Sequence, residues 1–152
     1  MIAFNGTNEV YGAFSNAYDC PAGVRYNGTL YGNVEAAIQA QKTTNFEERL
    51  KFRKESALAA RKHGKRIKVR DDWDFIKARV LEEAIYCKFS QDTELKELLL
   101  RTGNEELEYD TSSRHDNEMG YCHCGRCKNK EHKNKLGKVL MEVREKLRNE
   151  CE

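Results

Sequence analysis

Proline is almost missing from this sequence, with Pro21 the one instance in 152 residues. That excludes collagen-like and proline-rich chains. No apolar run approaches the length of a bilayer span, so a helical membrane protein is not expected. The first residues, MIAFNGTNEVYG, lack a basic region followed by an apolar stretch, so the expectation is a cytoplasmic protein without a secretory leader. Ten scattered glycines follow no period and no heptads are sustained, which removes repeat arrays and coiled coils. Neither sign of charge dominates: 27 Lys and Arg face 25 Asp and Glu, net +2, and that balance implies no particular partner.

What is present is a chain long enough to bury roughly 70% of its unfolded surface, read as a single domain over residues 1–152. Residues 2–30 look irregular and partly extended, with Asn27-Gly28 placed for a tight antiparallel hairpin. Helical periodicity fills most of the rest. Asn33 caps a helix to about Thr43; residues 46–54 and Ser56 to His63 give two more, the second stopped by Gly64. The strongest pattern is 72–89, with Trp73, Ile76, Val80, Ala84 and Cys87 three or four apart. Thr93 to Arg101 is Leu-rich, Leu107 to Thr111 suits a short strand, and 112–132 reads as a structured loop. A last helix spans about Lys133 to Arg148, with Leu136, Val139, Leu140, Val143 and Leu147 as its buried stripe. The fold class is mainly α, with a small antiparallel β element near the N-terminus.

Three features carry chemistry. Glu35, Gln39 and Lys42 stand at i, i+4 and i+7, on one helix side away from Val34, Ala37 and Ile38. Two turns separate the first from the last, about 10.5 Å along the axis, so the three form either an ordinary solvated face with Glu35 in the first turn for the dipole or a set whose long side chains can reach one ligand. Residues 61–70 read RKHGKRIKVR, either a solvated helix end or a phosphate-binding edge. Cys122, Cys124 and Cys127, followed by His132, offer four ligands for a structural zinc.

The order of motifs resembles the NADAR, or YbiA-like, family. Tyr11-Gly12-Ala13-Phe14-Ser15-Asn16 is followed by Val34-Glu35, Gln39-Ala40-Gln41-Lys42 and Arg70-Asp71-Asp72-Trp73. Then come Leu98-Leu99 with Thr102-Gly103, His115-Asp116-Asn117 before Gly120, and Asn134 to Met141 with Val143-Arg144. The resemblance implies a compact, mainly helical domain and an N-glycosidase. Known members cleave either early phosphorylated riboflavin intermediates or ADP-ribose linked to guanine, so DNA or RNA enters as a candidate partner and a membrane does not. No catalytic cofactor is implied.

By the same resemblance, Glu35 matches the family's essential acid, and Lys42 the lysine that would attack C1 of an opened ribose as a Schiff-base nucleophile. Tyr11, Gly12 and Phe14 lie in the base-side loop, and Trp73 matches a tryptophan important to the family. Asn16 can read a base edge, Gln39 shares the Glu35 face, Arg70 can clamp a phosphate or simply pair with Asp72, and Asp116 can orient a ribose hydroxyl or water or serve as an Asx cap in its loop. Met119-Gly120 replaces the family's usual Trp-Gly, losing a stacking face and an indole N–H. A zinc deaminase would need His-x-Glu, which is absent. The remaining alternative is a non-enzymatic nucleotide- or nucleic-acid-binding module built on residues 61–70 and the Cys loop.

Overall fold

In the computed structural model, which describes residues 1–151, Asn27 (φ 49°) and Gly28 (φ 82°) both take the left-handed conformation that a two-residue hairpin turn requires. The elements in chain order are β1 (Ile2–Phe4), a short 3-10 helix (Tyr11–Phe14), β2 (Val24–Tyr26), β3 (Thr29–Tyr31), α1 (Val34–Ala40), α2 (Phe46–Leu50) and α3 (Ala57–Gly64). They continue with α4 (Trp73–Gln91), α5 (Thr93–Arg101), β4 (Leu107–Tyr109) and α6 (Lys135–Glu150). The fold is mainly α with small β elements, and among the described residues no helix is long and apolar enough to cross a membrane. The chain divides into two compact units, Asn16–Lys96 and Met1–Ser15 with Glu97 onward.

Within Asn16–Lys96, β2 and β3 form the expected antiparallel hairpin, Val24 opposite Tyr31. Asn33 caps α1, its Oδ1 accepting from Ala36 N at 2.8 Å while Nδ2 donates to the Glu55 carbonyl at 3.0 Å. Val34, Ala36, Ala37 and Ala40 are fully buried, and α1 packs on α3 and α4. Their small side chains allow close approach. At Gly64 the approach is so tight that a Cβ would lie 2.0 Å from Gln39 Oε1.

The helix α1 stops at Ala40, three residues before the sequence pattern implies, and the reason is Gln41. Its backbone N–H donates to Ile38 O at 3.0 Å, while its side-chain Nε2 takes the Ala37 carbonyl at 3.1 Å that helical continuation would have claimed. Lys42 N–H follows with an i−3 bond to Gln39 O, 3.2 Å, so Lys42 sits on a tightened turn. Likewise, α2 ends at Leu50, and Lys51–Lys54 form turns. Helix α4 begins at Trp73; its buried side carries Val80, Ala84, Ile85 and Phe89, and also Lys88, whose Nζ lies 5.4 Å from the Tyr18 ring and 5.1 Å from that of Phe89.

The other unit contains a pairing that the sequence does not advertise. β1 runs parallel to β4, Ile2 opposite Leu107 and Phe4 opposite Tyr109. Helix α6 buries Leu136, Leu140, Val143 and Leu147 as its periodicity predicts, but starts at Lys135 because Asn134 is left-handed (φ 46°). The Asn134 side chain then behaves like a strand beside β4: Oδ1 accepts from Tyr109 N at 3.0 Å and Nδ2 donates to Leu107 O at 2.9 Å. Gly137 lets α6 close on that edge, since a Cβ there would lie 2.2 Å from Leu107 O.

Replacing Asn134 by Ala strands two backbone groups of β4, each costing about 1–3 kcal/mol when left buried and unpaired. Urea unfolding of Asn134→Ala is expected to show a loss of about 2–4 kcal/mol, and Asn134→Asp, which keeps only the acceptor, a smaller one. Equal, near-zero losses would mean that water replaces the amide.

Candidate active site

The tightened turn after α1 decides how the first group of predicted residues meets. Gln39 Nε2 donates to Glu35 Oε1 at 2.9 Å, so the i and i+4 side chains are joined rather than merely aligned. Glu35 N–H donates to the Asn16 carbonyl at 3.1 Å, which fixes the loop before β2 against the first turn of α1. The two residues bonded to Glu35 each carry a buried side-chain acceptor without a hydrogen-bond partner, Asn16 Oδ1 and Gln39 Oε1. Unsatisfied buried acceptors are rare in proteins because each costs a desolvation penalty.

Lys42 is half-buried beside the half-buried Trp73, its Nζ 6.0 Å from the indole centre. Burial lowers the Lys42 ammonium below the ordinary lysine range; Glu35 opposes that shift and Lys65 adds to it. The Lys42 carbonyl accepts from Arg70 N at 2.7 Å, tying the end of the basic segment to the turn. Arg70 itself is held by Asp72, with Nε to Oδ1 at 2.5 Å and a second nitrogen to Oδ2 at 3.0 Å. That fork engages the guanidinium face predicted to hold phosphate, and it also takes the Asp72 carboxylate away from capping α4. Lys62, Lys65, Arg66 and Lys68 are exposed, and a hollow of about 380 Å³ is lined by Thr43, Arg66 and Lys68. A wider groove of about 570 Å³, lined by Cys20, Arg25, Leu30, Arg53 and Lys54 among others, contains none of the predicted residues.

Tyr11, Gly12, Phe14, Asp116, Met119 and Gly120 belong to the other unit. Phe14 is fully buried, edge-on to Phe4 at 5.7 Å, so its ring is core and presents no platform for a base; the apolar neighbours Phe4 and Tyr11 account for this. Tyr11 is half-exposed. Gly12 and Gly120 mark close backbone approaches, a Cβ at Gly120 falling 2.4 Å from Tyr109 O. Asp116 Oδ1 accepts from Glu118 N and Met119 N, both at 3.0 Å, shaping the turn that carries Met119.

The cysteine loop gathers a different fourth ligand from the one expected. His115, Cys122, Cys124 and Cys127 place their ligand atoms within 4.8 Å of one another, a cluster that could hold a metal. His132 is elsewhere occupied. Its ring stacks on Tyr121 at 3.7 Å and its Nε2 lies 3.1 Å from the Cys122 carbonyl, an acceptor that requires Nε2 to donate. His115 escapes a forward spacing search because it precedes Cys122 and returns through the turn at 111–116. Lys88 escapes too, since a charged residue in an apolar stripe reads as an interruption. Burial pushes its ammonium down to about 8.

A family model described as the NADAR domain matches residues 3–148. An N-glycosidase of Nostoc punctiforme is 35% identical over 155 residues, covering 97% of this chain and 93% of that protein. The N-glycosidase YbiA of Escherichia coli is 35% identical over 150 residues, covering 97% and 88%. A riboflavin biosynthesis protein of Vibrio vulnificus is 32% identical over 151 residues, 96% of this chain but 38% of that protein. The NMR structure of E. coli YbiA superposes with a TM-score of 0.79 at 34% identity, covering 99% of this chain and 86% of that one.

The Gln39–Glu35 bond depends on the missing Cβ at Gly64. Gly64→Ala drives the amide off its position and is expected to lower stability by about 1–3 kcal/mol. Gln39→Ala in the same chain should recover most of that loss in a double-mutant cycle of urea midpoints. Strictly additive losses would show that the contact is not the cause.

Proposed function

We propose that this chain, which belongs to the NADAR domain family, is an N-glycosidase that hydrolyses the ribose C1–N bond of a phosphorylated N-riboside. The substrate is ADP-ribose linked to guanine in a nucleotide or nucleic acid, or an early intermediate of riboflavin biosynthesis. One observation supports the placement of the reaction more than any other. Glu35, bonded to Gln39 through its carboxylate and to Asn16 through its backbone, both of which keep an unpartnered buried acceptor, lies along the same short stretch as a lysine whose ammonium is destabilised. Of the two, Gln39 Oε1 faces Gly64, and the Asn16 Oδ1 acceptor is the one that suits an N–H or O–H donor of a nucleoside.

The proposed chemistry uses side chains and water. Glu35 delivers a proton to the ribose ring oxygen, which opens the ring as the nitrogen lone pair forms an imine to C1. The neutral Lys42 amine adds to that carbon, the base nitrogen leaves with a proton, and a lysine imine remains on C1. Water then hydrolyses the imine, releasing the sugar as its aldehyde and restoring the amine. Trp73 beside Lys42 offers an apolar face to the sugar or base, and Arg66 and Lys68 at the neighbouring hollow suit the phosphates. Arg70 supports this edge through its Asp72 fork and its backbone bond to Lys42.

Incubation with both substrate types, with base release followed by mass, tests the activity and separates the two. Glu35→Gln is expected to lower turnover by about 100-fold or more while substrate binding persists, since the amide is isosteric but carries no transferable proton. Near wild-type turnover would remove Glu35 from the chemistry.

Borohydride reduction of the imine should add the sugar-phosphate mass to the peptide containing Lys42, and Lys42→Arg should abolish the adduct. The arginine keeps the charge but cannot release a proton at working pH. Loss of the Lys65 charge removes a repulsion that lowers Lys42, so Lys65→Ala should move the pH midpoint of trapping upward. Efficient turnover by Lys42→Arg with no adduct in wild type would leave a direct attack by water.

A further inference from the structure

We propose that His115, Cys122, Cys124 and Cys127 bind one zinc ion, a closed structural centre that pins the loop carrying Asp116. The proposal stands apart from the N-glycosidase reading and survives if that reading fails. Its first support is distance. His115 Nδ1 lies 3.4 Å from Cys122 Sγ, 3.3 Å from Cys124 Sγ and 3.8 Å from Cys127 Sγ. A tetrahedron with Zn–S near 2.3 Å and Zn–N near 2.0–2.1 Å has S···N edges of about 3.5 Å. The three observed edges straddle that value.

The second support is valence. An imidazole nitrogen has either one lone pair or one hydrogen, so it can satisfy one thiol and not three. Cys122 Sγ also reaches the Ser112 carbonyl at 3.8 Å, but one nitrogen cannot hydrogen-bond all three sulfurs that converge on it. A cation among them satisfies all four atoms. Three thiolates and an imidazole are the donor set that selects zinc over magnesium or calcium. Four protein ligands leave no position for a substrate or an activated water, which makes the centre a clip rather than a catalyst.

The surroundings agree with that role. Cys122 and Cys127 are buried, and the outer layer is built: His132 Nε2 holds the Cys122 carbonyl, and Asn117 Oδ1 accepts from Cys122 N at 3.3 Å. The exposed Arg126 guanidinium lies 3.3 Å from His115 Nε2; with Nδ1 on a metal that nitrogen would carry the proton, so ion binding requires Arg126 to turn away into solvent. His115 directly precedes Asp116, whose carbonyl accepts from Thr111 Oγ1 at 2.5 Å and whose carboxylate shapes the Met119 turn. Fixing the imidazole therefore fixes the backbone on which Asp116 is mounted.

The test is metal analysis of the whole chain purified without affinity histidines. One zinc per chain is expected, and cobalt exchanged into the same protein should show thiolate-to-cobalt charge transfer with the ligand-field bands of a tetrahedral site. His115→Ala and Cys124→Ser should each lower zinc affinity at least 100-fold. His132→Ala should keep full stoichiometry with affinity reduced about 10–100-fold, as expected for an outer-layer partner. His115→Cys should restore binding, which covers the case in which His115→Ala fails to fold. Hydrogen exchange in residues 111–128 should rise on chelation in wild type. Metal-free protein with all thiols titrating and no cobalt spectrum overturns the proposal, as does a mass two daltons low from a disulfide. Zinc lost by His132→Ala and kept by His115→Ala overturns the ligand set.

Discussion

A helix of seven residues that is buried on almost every side governs the arrangement of the proposed site. Four positions of α1, Val34, Ala36, Ala37 and Ala40, have no exposed surface. Alanine costs little side-chain entropy and lets partners close in, so α3 reaches Gln39 at a position where even a methyl group would collide. What remains of α1 for chemistry is the strip bearing Glu35, with Gln39 behind it. Gln41 extends this constraint to the hairpin, since its Oε1 accepts from Asn27 Nδ2 at 2.9 Å while its Nε2 closes the helix on Ala37. One buried amide thus ends α1, sets the turn that carries Lys42 and ties both to the left-handed residue of the β2–β3 turn.

Two lysines in the same unit are pushed away from the charged form, and their settings differ. Lys88 has 1% of its surface exposed and lies among the rings of Tyr18 and Phe89, with Cys20 acting against the shift. Lys42 is half-buried, faces one acid and one base, and has Trp73 at its side. A covalent role needs an amine that is both neutral in part and open to a substrate. Only the second of these settings leaves such a path. The Arg70–Asp72 fork nearby is exposed on the Asp72 side, so its value lies in orientation more than in stability.

The loop from 110 to 134 has almost no regular structure and little apolar material of its own. It is held by small polar devices: Asp110 to Ser112, Asp116 to the Met119 turn, Asn134 to the edge of β4, and Tyr121 stacked between His123 and His132. Each is worth little singly, because most exchange one hydrogen bond with water for one within the protein. A metal held by the proposed Cys and His ligands would bind the folded loop and not the unfolded chain, so its binding free energy would stabilise a segment that cannot bury a core.

The sequence by itself determined the helices, the Asn27-Gly28 hairpin, the buried stripe of α6 and the family, because those signals are local or lie in a fixed order along the chain. Periodicity, caps and turn pairs depend on neighbours three or four residues away. It also put Glu35 and Gln39 on one face, which the 2.9 Å bond between them realises. Only the tertiary structure decided the rest. The β1–β4 pair joins the three-residue strands Ile2–Phe4 and Leu107–Tyr109, far apart in the chain and too short to carry a pattern. Phe14 became core because Phe4 reached it. His115 replaced His132 because a left-handed residue turned one imidazole toward the sulfurs while Tyr121 held the other by its face. In each case the deciding contact lies beyond the three or four residues over which a helix or turn pattern is written.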